Sequence, residues 1–523
     1  MATVFSNDAL ISSPDAWKRS PLRHNLLANL GGRGLSLLVS LVCVPIYIRV
    51  LGIAGYGLIG VWMTLESVSN LVDLGLSPTM TREMAACSAR PGGAQDARDL
   101  VRTLEAGYWM IGVLLAAVII SCASPIAAHW LRSTQLPPAT VRTAIVLIGI
   151  LILCRWPVTF YCGGLNGLER QVLLNVVGTA YAYLRSLGSV FILLFVSPTI
   201  FAFFAFQIAI NVVQTAVLTV TLWRCLPPGR APRFRLDLIR RIWRFAGGTT
   251  ANTLLWLLLS ELDKFVVSAM LPLEAFGYYM LGWRIAACLG VASTPVSTAF
   301  FPAFSRQVAA RDERRLAELY HQASQLTSVL VIPAALTVIF FAKPLIFAWT
   351  GKQDVAEHTD LIAALLTGGL ALSCMVNIPY ALQLAHGWTS LAFRSGSLAL
   401  CLSVPLLLLL THYFGSVGAA GVWLVVNASS FATNVMPMHR RLLTCEARRW
   451  LFEDLGLPLL ACAAIVAVLY ERMPHAGTRL DAALSVGIAA AILGCAALIA
   501  TPLSRKKLRE LVARKRDVSP ASA

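Results

Sequence analysis

Apolar runs close to twenty residues long recur along the whole chain, and that is the length needed to cross a hydrocarbon core of ~30 Å. Backbone inside a bilayer must satisfy its own hydrogen bonds, so runs of this kind are helices. They fall near 25–48, 56–77, 104–125, 143–161, 172–195, 199–223, 245–270, 277–299, 322–342, 361–384, 391–411, 417–437, 455–470 and 482–501. Of the 523 residues, 57% are hydrophobic and 13% charged, against the ~25% charged of a typical soluble chain. A soluble enzyme, a disordered chain and a disulfide scaffold are thereby excluded. The fold class is all-α: a polytopic membrane protein of about 14 transmembrane helices.

Basic residues near helix ends are retained on the cytoplasmic side, which orients the spans. With alternate loops assigned from a cytoplasmic N-terminus, the cytoplasmic segments hold 31 Lys and Arg and the outer segments 7. The other five of the 43 (Arg33, Arg155, Arg185, Lys264, Arg284) lie within spans. Both termini are expected to be cytoplasmic in an inner-membrane protein, with no cleaved leader in residues 1–24. The basic tail from Arg505 to Arg516 would lie on the anionic leaflet surface. Twelve scattered Cys show no CxxC or zinc spacing and read as small apolar filler.

Two similar stretches lie 220 residues apart: Val50-Leu-Gly-Ile-Ala-Gly-Tyr-Gly57 and Met270-Leu-Pro-Leu-Glu-Ala-Phe-Gly277. Six spans separate them, so the units are parallel repeats about an axis along the membrane normal. The expected organisation is 1–24 cytoplasmic, 25–224 N-lobe, 225–244 linker, 245–440 C-lobe, 441–503 an appended helix pair and 504–523 tail. Asn29, Arg33, Ser36 and Ser40 share one helical face. The same offset gives Thr249, Thr253, Trp256 and Ser260, also on one face, with Asp263 next along it. Two matching polar stripes predict two bundles around a shared cavity, the architecture of alternating access.

Ionisable residues in hydrocarbon are costly and face a cavity or a partner. Arg33 and Arg185 lie near mid-span and Arg284 two turns inside its helix, each a candidate for anion binding or for a structural pair. Arg155 is expected to snorkel to the cytoplasmic surface. Glu261 and Lys264, three apart, are expected to neutralise each other. Glu66, Asp73 and Asp263 are candidates for coupling to H+ or Na+, since a buried carboxylate can carry a proton across an access change. No GxxxxGK[ST] loop, HExxH motif or nucleophile elbow occurs, which favours a secondary transporter over an enzyme and requires no cofactor.

Four segments carry a resemblance: Arg49 through Gly57; Leu71-Val-Asp-Leu-Gly-Leu76 followed by Arg82-Glu83; Leu165-Asn-Gly-Leu-Glu-Arg-Gln171; and Leu262-Asp-Lys-Phe265 with Phe276-Gly-Tyr-Tyr279. In order and spacing over residues 25–440 they resemble the Wzx-type oligosaccharide flippases of the multidrug/oligosaccharidyl-lipid/polysaccharide exporter superfamily. The resemblance implies a bacterial inner-membrane protein with two lobes around a cationic cavity. It implies a lipid-linked oligosaccharide on undecaprenyl pyrophosphate, flipped to the periplasmic leaflet for O-antigen, capsule or exopolysaccharide assembly. By type and position it assigns Arg33, Arg185 and Arg284 to substrate; the polar stripes add Asn29, Ser36 and Thr253. Partners would be that substrate, membrane lipids and other polysaccharide assembly proteins. The competing readings are a multidrug/cation antiporter, with a carboxylate-dominated cavity, and a membrane glycan polymerase or ligase, which needs an outer catalytic loop.

The net charge of +17 does not point to nucleic acid. Cytoplasmic segments contribute +16, outer segments +1 and the spans nothing, so it is a topology signal. Any cationic cavity must come from uneven placement of charges.

Overall fold

A computed structural model describes residues 21–73, 75–90, 93–235, 237, 250–472 and 477–502, and side chains within these except 21–37, 71–72, 250–253 and 256–257. It is all-helical. Eleven helices among the described residues are long and apolar enough to cross a membrane. Two of them contain a reversal. Leu38–Asn70 turns at Gly52, whose φ of 75° is open to glycine but strained for other residues. Tyr47 and Trp62, on either side of that turn, both pack against Phe203, so the chain forms a hairpin. Thr389–Leu442 turns likewise at Gly415, φ 59°. Thr250–Met270 is a further helix, with Glu261, Asp263 and Lys264 embedded in it.

The fourteen helices are α1 (21–51), α2 (53–72), α3 (Gly93–Ser121), α4 (Pro138–Gly167), α5 (Gln171–Phe195), α6 (Ile200–Cys225) and α7 (Thr250–Met270). Then follow α8 (Leu273–Ala310), α9 (Glu313–Thr350), α10 (Gln353–Ala385), α11 (389–414), α12 (416–442), α13 (Glu446–Arg472) and α14 (Arg479–Ala500). A short helix, Leu76–Ala89, joins α2 to α3. Helices α3–α6 pack on one another and α7–α12 on one another, α1 and α2 touch both sets, and α13 and α14 pack against α9; α1–α6 are called the N-lobe and α7–α12 the C-lobe.

The repeat is visible in atomic contacts. A Cβ on Gly57 would lie 2.6 Å from the Leu273 carbonyl oxygen, and one on Gly277 would lie 2.5 Å from that of Ile53. These contacts exchange under the 220-residue offset. Gly60 packs on Met280, its own counterpart, so the pseudo-twofold axis passes between α2 and α8. Only glycine lets the two helices approach this closely.

The apolar core shows where the lobes are joined. One cluster runs continuously through both, from Cys43–Val61 and Val141–Ile152 to Val267–Ala286 and Ala342–Leu366. It fills the end that carries the α1–α2 and α7–α8 turns, the turn face. At the opposite face the N-lobe has its own core, around Met80, Tyr108 and Phe160, and the C-lobe another, around Phe304, Tyr320 and Trp450.

Candidate functional site

A cavity of about 450 Å³ is lined, among the described residues, by α1, α2, α4, α5 and α6 of the N-lobe and by Arg284 on α8 of the C-lobe. Arg155, Arg185, Arg284 and Glu66 all face it, three cations against one carboxylate. Charge excluded from the spans as a whole is therefore concentrated here, at net +2. Arg155 does not snorkel. Pro157 lacks the N–H that would continue the helix and breaks α4 at Trp156. Beside that break, Arg155 donates to Glu66 on α2, and its other arm approaches Asn211 at 3.4 Å. A carboxylate opposite makes the interior pair preferable to a reach for water.

Arg185 and Arg284 form no ion pair among the described residues. Arg284, on α8 of the C-lobe, donates to Ser40 Oγ on α1 of the N-lobe. The other walls are aromatic: Tyr47, Tyr56, Trp62 and Phe203. Tyr47 is held by a 3.0 Å bond to the Ser186 carbonyl. Trp62 and Gln207 also line the cavity, and the buried Trp62 Nε1 and Gln207 Oε1 have no hydrogen-bond partner among the described residues. Neither they nor Arg155 were picked out as site residues from sequence; their signal was a polar or aromatic side chain at a position whose helix face the sequence leaves undetermined.

The side chains of Asn29, Arg33, Ser36, Thr253 and Trp256, and Thr249 as a whole, lie outside the described residues. Ser40 lines the cavity. Asp73 does not: it accepts from Tyr108 and, at 3.0 Å, from Ser77, tying the connecting helix to α3. Asp263 is buried inside the C-lobe, bonded to Tyr279 at 2.5 Å and Trp423 at 2.8 Å. Lys264 lies 3.4 Å from Glu261 and 3.5 Å from Asp263, with its ammonium over the Trp283 ring. The expected Glu261–Lys264 pair thus has a third member, Asp263, which the stripe pattern had placed apart. Glu261 also accepts from Ser67 of the N-lobe at 2.8 Å.

The turn face is sealed by two loops, one from each lobe. Residues 132–135, between α3 and α4, lie on the α7–α8 turn: Leu273 N–H donates to the Arg132 carbonyl at 2.7 Å. Glu274 accepts from Ser133 Oγ at 2.6 Å and from the backbone N–H of Thr134 and Gln135 at 3.0 Å. Reciprocally, the α9–α10 turn lies on α1, where Trp349 and Lys352 donate to the carbonyls of Leu41 and Ile48. The seal is unequal, because the counterpart of Glu274 under the repeat is Ala54. Among the described residues, no polar bond between the lobes lies nearer the opposite face than Ser67–Glu261.

The polysaccharide biosynthesis protein family matches residues 22–308, and the MatE family matches residues 249–409. A putative O-antigen transporter of Shigella flexneri is 19% identical over 400 residues, 76% of this chain and 93% of that protein. A probable low-salt glycan biosynthesis flippase, Agl15 of Haloferax volcanii, is 25% identical over 230 residues, 44% of this chain and 47% of that one. The inward closed conformation of the lipid II flippase MurJ superposes with a TM-score of 0.68 at 13% identity, covering 92% of this chain and 98% of its own.

Proposed function

Because the chain belongs to the polysaccharide biosynthesis protein family, we propose that it flips an oligosaccharide carried on a polyprenyl diphosphate, undecaprenyl pyrophosphate in a bacterium, from the cytoplasmic to the periplasmic leaflet. Within its superfamily the chain is a transporter of the glycan-flippase type, not an enzyme. The observation that supports the finer reading is the net +2 cavity, in which Arg185 and Arg284 form no ion pair among the described residues. A diphosphate needs fixed donors, and guanidinium offers a planar fork that stays charged away from water. Arg185 and Arg284 supply them, with Arg33, Asn29, Ser36 and Thr253 on the flanking stripes. Sugar faces pack on Trp62 and Tyr47. The carrier tail stays in the bilayer.

With both termini cytoplasmic, the sealed turn face is the periplasmic one. Domains 25–224 and 245–440 rock about the glycine contacts of α2 and α8. Glu66 is the coupling carboxylate, because it faces the cavity and a carboxylate there can carry a proton across an access change. Asp73 and Asp263 hold helices together. An exporter of organic cations would require a cavity dominated by carboxylates, the reverse of this one. The test is a deletion strain scored for lipid-linked saccharide facing the cytoplasm. Accumulation that wild type reverses and the Arg185→Ala, Arg284→Ala double variant does not is expected. Drug sensitivity without such accumulation would overturn the reading.

A further inference from the structure

A second cavity, of about 490 Å³, lies apart from the central one, between the outer half of α9, the start of α10 and the appended helices α13 and α14. It exists because α9 bends. Phe341 departs from helical geometry (φ −117°, ψ 28°) ahead of Pro344, which cannot donate to the carbonyl four residues earlier. The groove lies beside this bend, and Tyr470 of α13 leans across with its ring 6.2 Å from Phe340 and 6.4 Å from Phe341. Phe340, Leu361 and Tyr470 remain 44%, 52% and 63% exposed, so the groove faces the bilayer.

At ~1.5 Å per residue, Lys343 and Asp360 both lie about 11 to 12 Å from the α9–α10 turn, and the apolar floor at Ile339 and Ala364 lies ~17 to 18 Å from it. The groove is thus polar towards the membrane surface and apolar towards the middle, the polarity of a lipid in one leaflet. Lys343 already holds Glu357 at 3.0 Å. Asp360 takes part in no ion pair among the described residues; its carboxylate accepts from the neighbouring Leu361 N–H at 2.6 Å. A carboxylate at this depth calls for a cation.

We propose that the groove is a binding site for one zwitterionic phospholipid, phosphatidylethanolamine, of the leaflet at the turn face. Its ammonium meets Asp360, its phosphate meets Lys343, and an acyl chain lies along Phe340, Leu361 and Ala364. Nothing in this depends on the transported substrate. The lipid would fasten the appended pair to the C-lobe at the end where Arg479 of α14 already donates to the carbonyls of Ala348 and Trp349.

Native mass spectrometry of the delipidated full chain, titrated with phosphatidylethanolamine or with phosphatidylglycerol of the same chains, tests the site. The first phosphatidylethanolamine is expected to bind more tightly than the first phosphatidylglycerol. Asp360→Asn should abolish that preference, a change of about threefold to fivefold as for a half-exposed ion pair. Ala364→Trp, which fills the groove, should weaken the first lipid of either kind by about tenfold, since several methylenes lose their burial. Leu361→Trp, at a more exposed position, serves if Ala364→Trp fails to fold. Unchanged first-lipid affinity in a folded plugged variant would overturn the site. A headgroup preference that survives Asp360→Asn would overturn the assignment to phosphatidylethanolamine.

Discussion

Each charge facing the central cavity answers to a different partner, and the partners set what removal does. Among the described residues the Arg284 guanidinium bonds to a neutral serine alone, so its charge is available to an anion. In Arg284→Ala, binding of a soluble diphosphate-sugar, followed by Trp62 fluorescence, should weaken by about tenfold or more, the worth of one charged hydrogen bond. Ser40→Ala should leave that affinity within about threefold, since only a hydrogen bond to a neutral hydroxyl is lost. Equal losses would make the arginine structural. Arg155 differs because Glu66 shares it. Glu66→Gln frees the guanidinium, so the anion should bind more tightly while dependence of transport on a proton gradient is lost, as proteoliposomes with and without that gradient would reveal. The sequence showed that these charges lie in membrane but not whom they meet. Glu66 and Arg155 are 89 residues apart, and their pairing depends on where the Pro157 break points α4, which helical periodicity does not contain.

Helices and their repeats were more legible. The fourteen spans follow from run length, and the 220-residue offset located the pair of turns that meets across the axis. What the offset could not give is how closely they meet. Gly57 and Gly277 were part of a similarity pattern; in the fold each lies against a carbonyl of the opposite lobe. Ala at one position would have to push α2 and α8 apart, and Val further still. Gly277→Val is therefore expected to destabilise the sealed form by about 1 to 3 kcal/mol, as overpacking does. A lower thermal midpoint together with greater thiol labelling of the native Cys43, buried in the core shared by both lobes, would register the separation. An unchanged midpoint with no labelling would mean the axis contact yields without cost. The charges on α7 show the limit of stripe arguments. Asp263 was expected on the shared polar face, yet Tyr279 and Trp423 draw it into the C-lobe, because a buried carboxylate goes where donors are.

Across the whole molecule the two ends differ in kind. The turn face has a core common to both lobes and the reciprocal loops; the opposite face has two separate cores. If the lobes rock as proposed, opening the turn face must expose the shared core and break the bonds at Glu274 together, which makes the interface bistable. Within that seal, Glu274 is the one charged acceptor without a symmetry mate, and it takes three donors. Glu274→Gln keeps the shape while removing the charge, which is worth about 1 kcal/mol relative to neutral hydrogen bonds. The population sealed at the turn face should then fall by roughly fivefold relative to the open form. Spin labels at Thr143 and His358, one per lobe at the turn face, should show a longer-distance component. Labels at Arg102 and Arg314, exposed at the opposite face, should show a shorter one, because rigid lobes that part at one end approach at the other. Lengthening at the turn face without shortening at the opposite face would mean that the loop alone had come loose. The lobes would then be hinged within themselves, and the shared core at the turn face would be a static floor beneath the cavity.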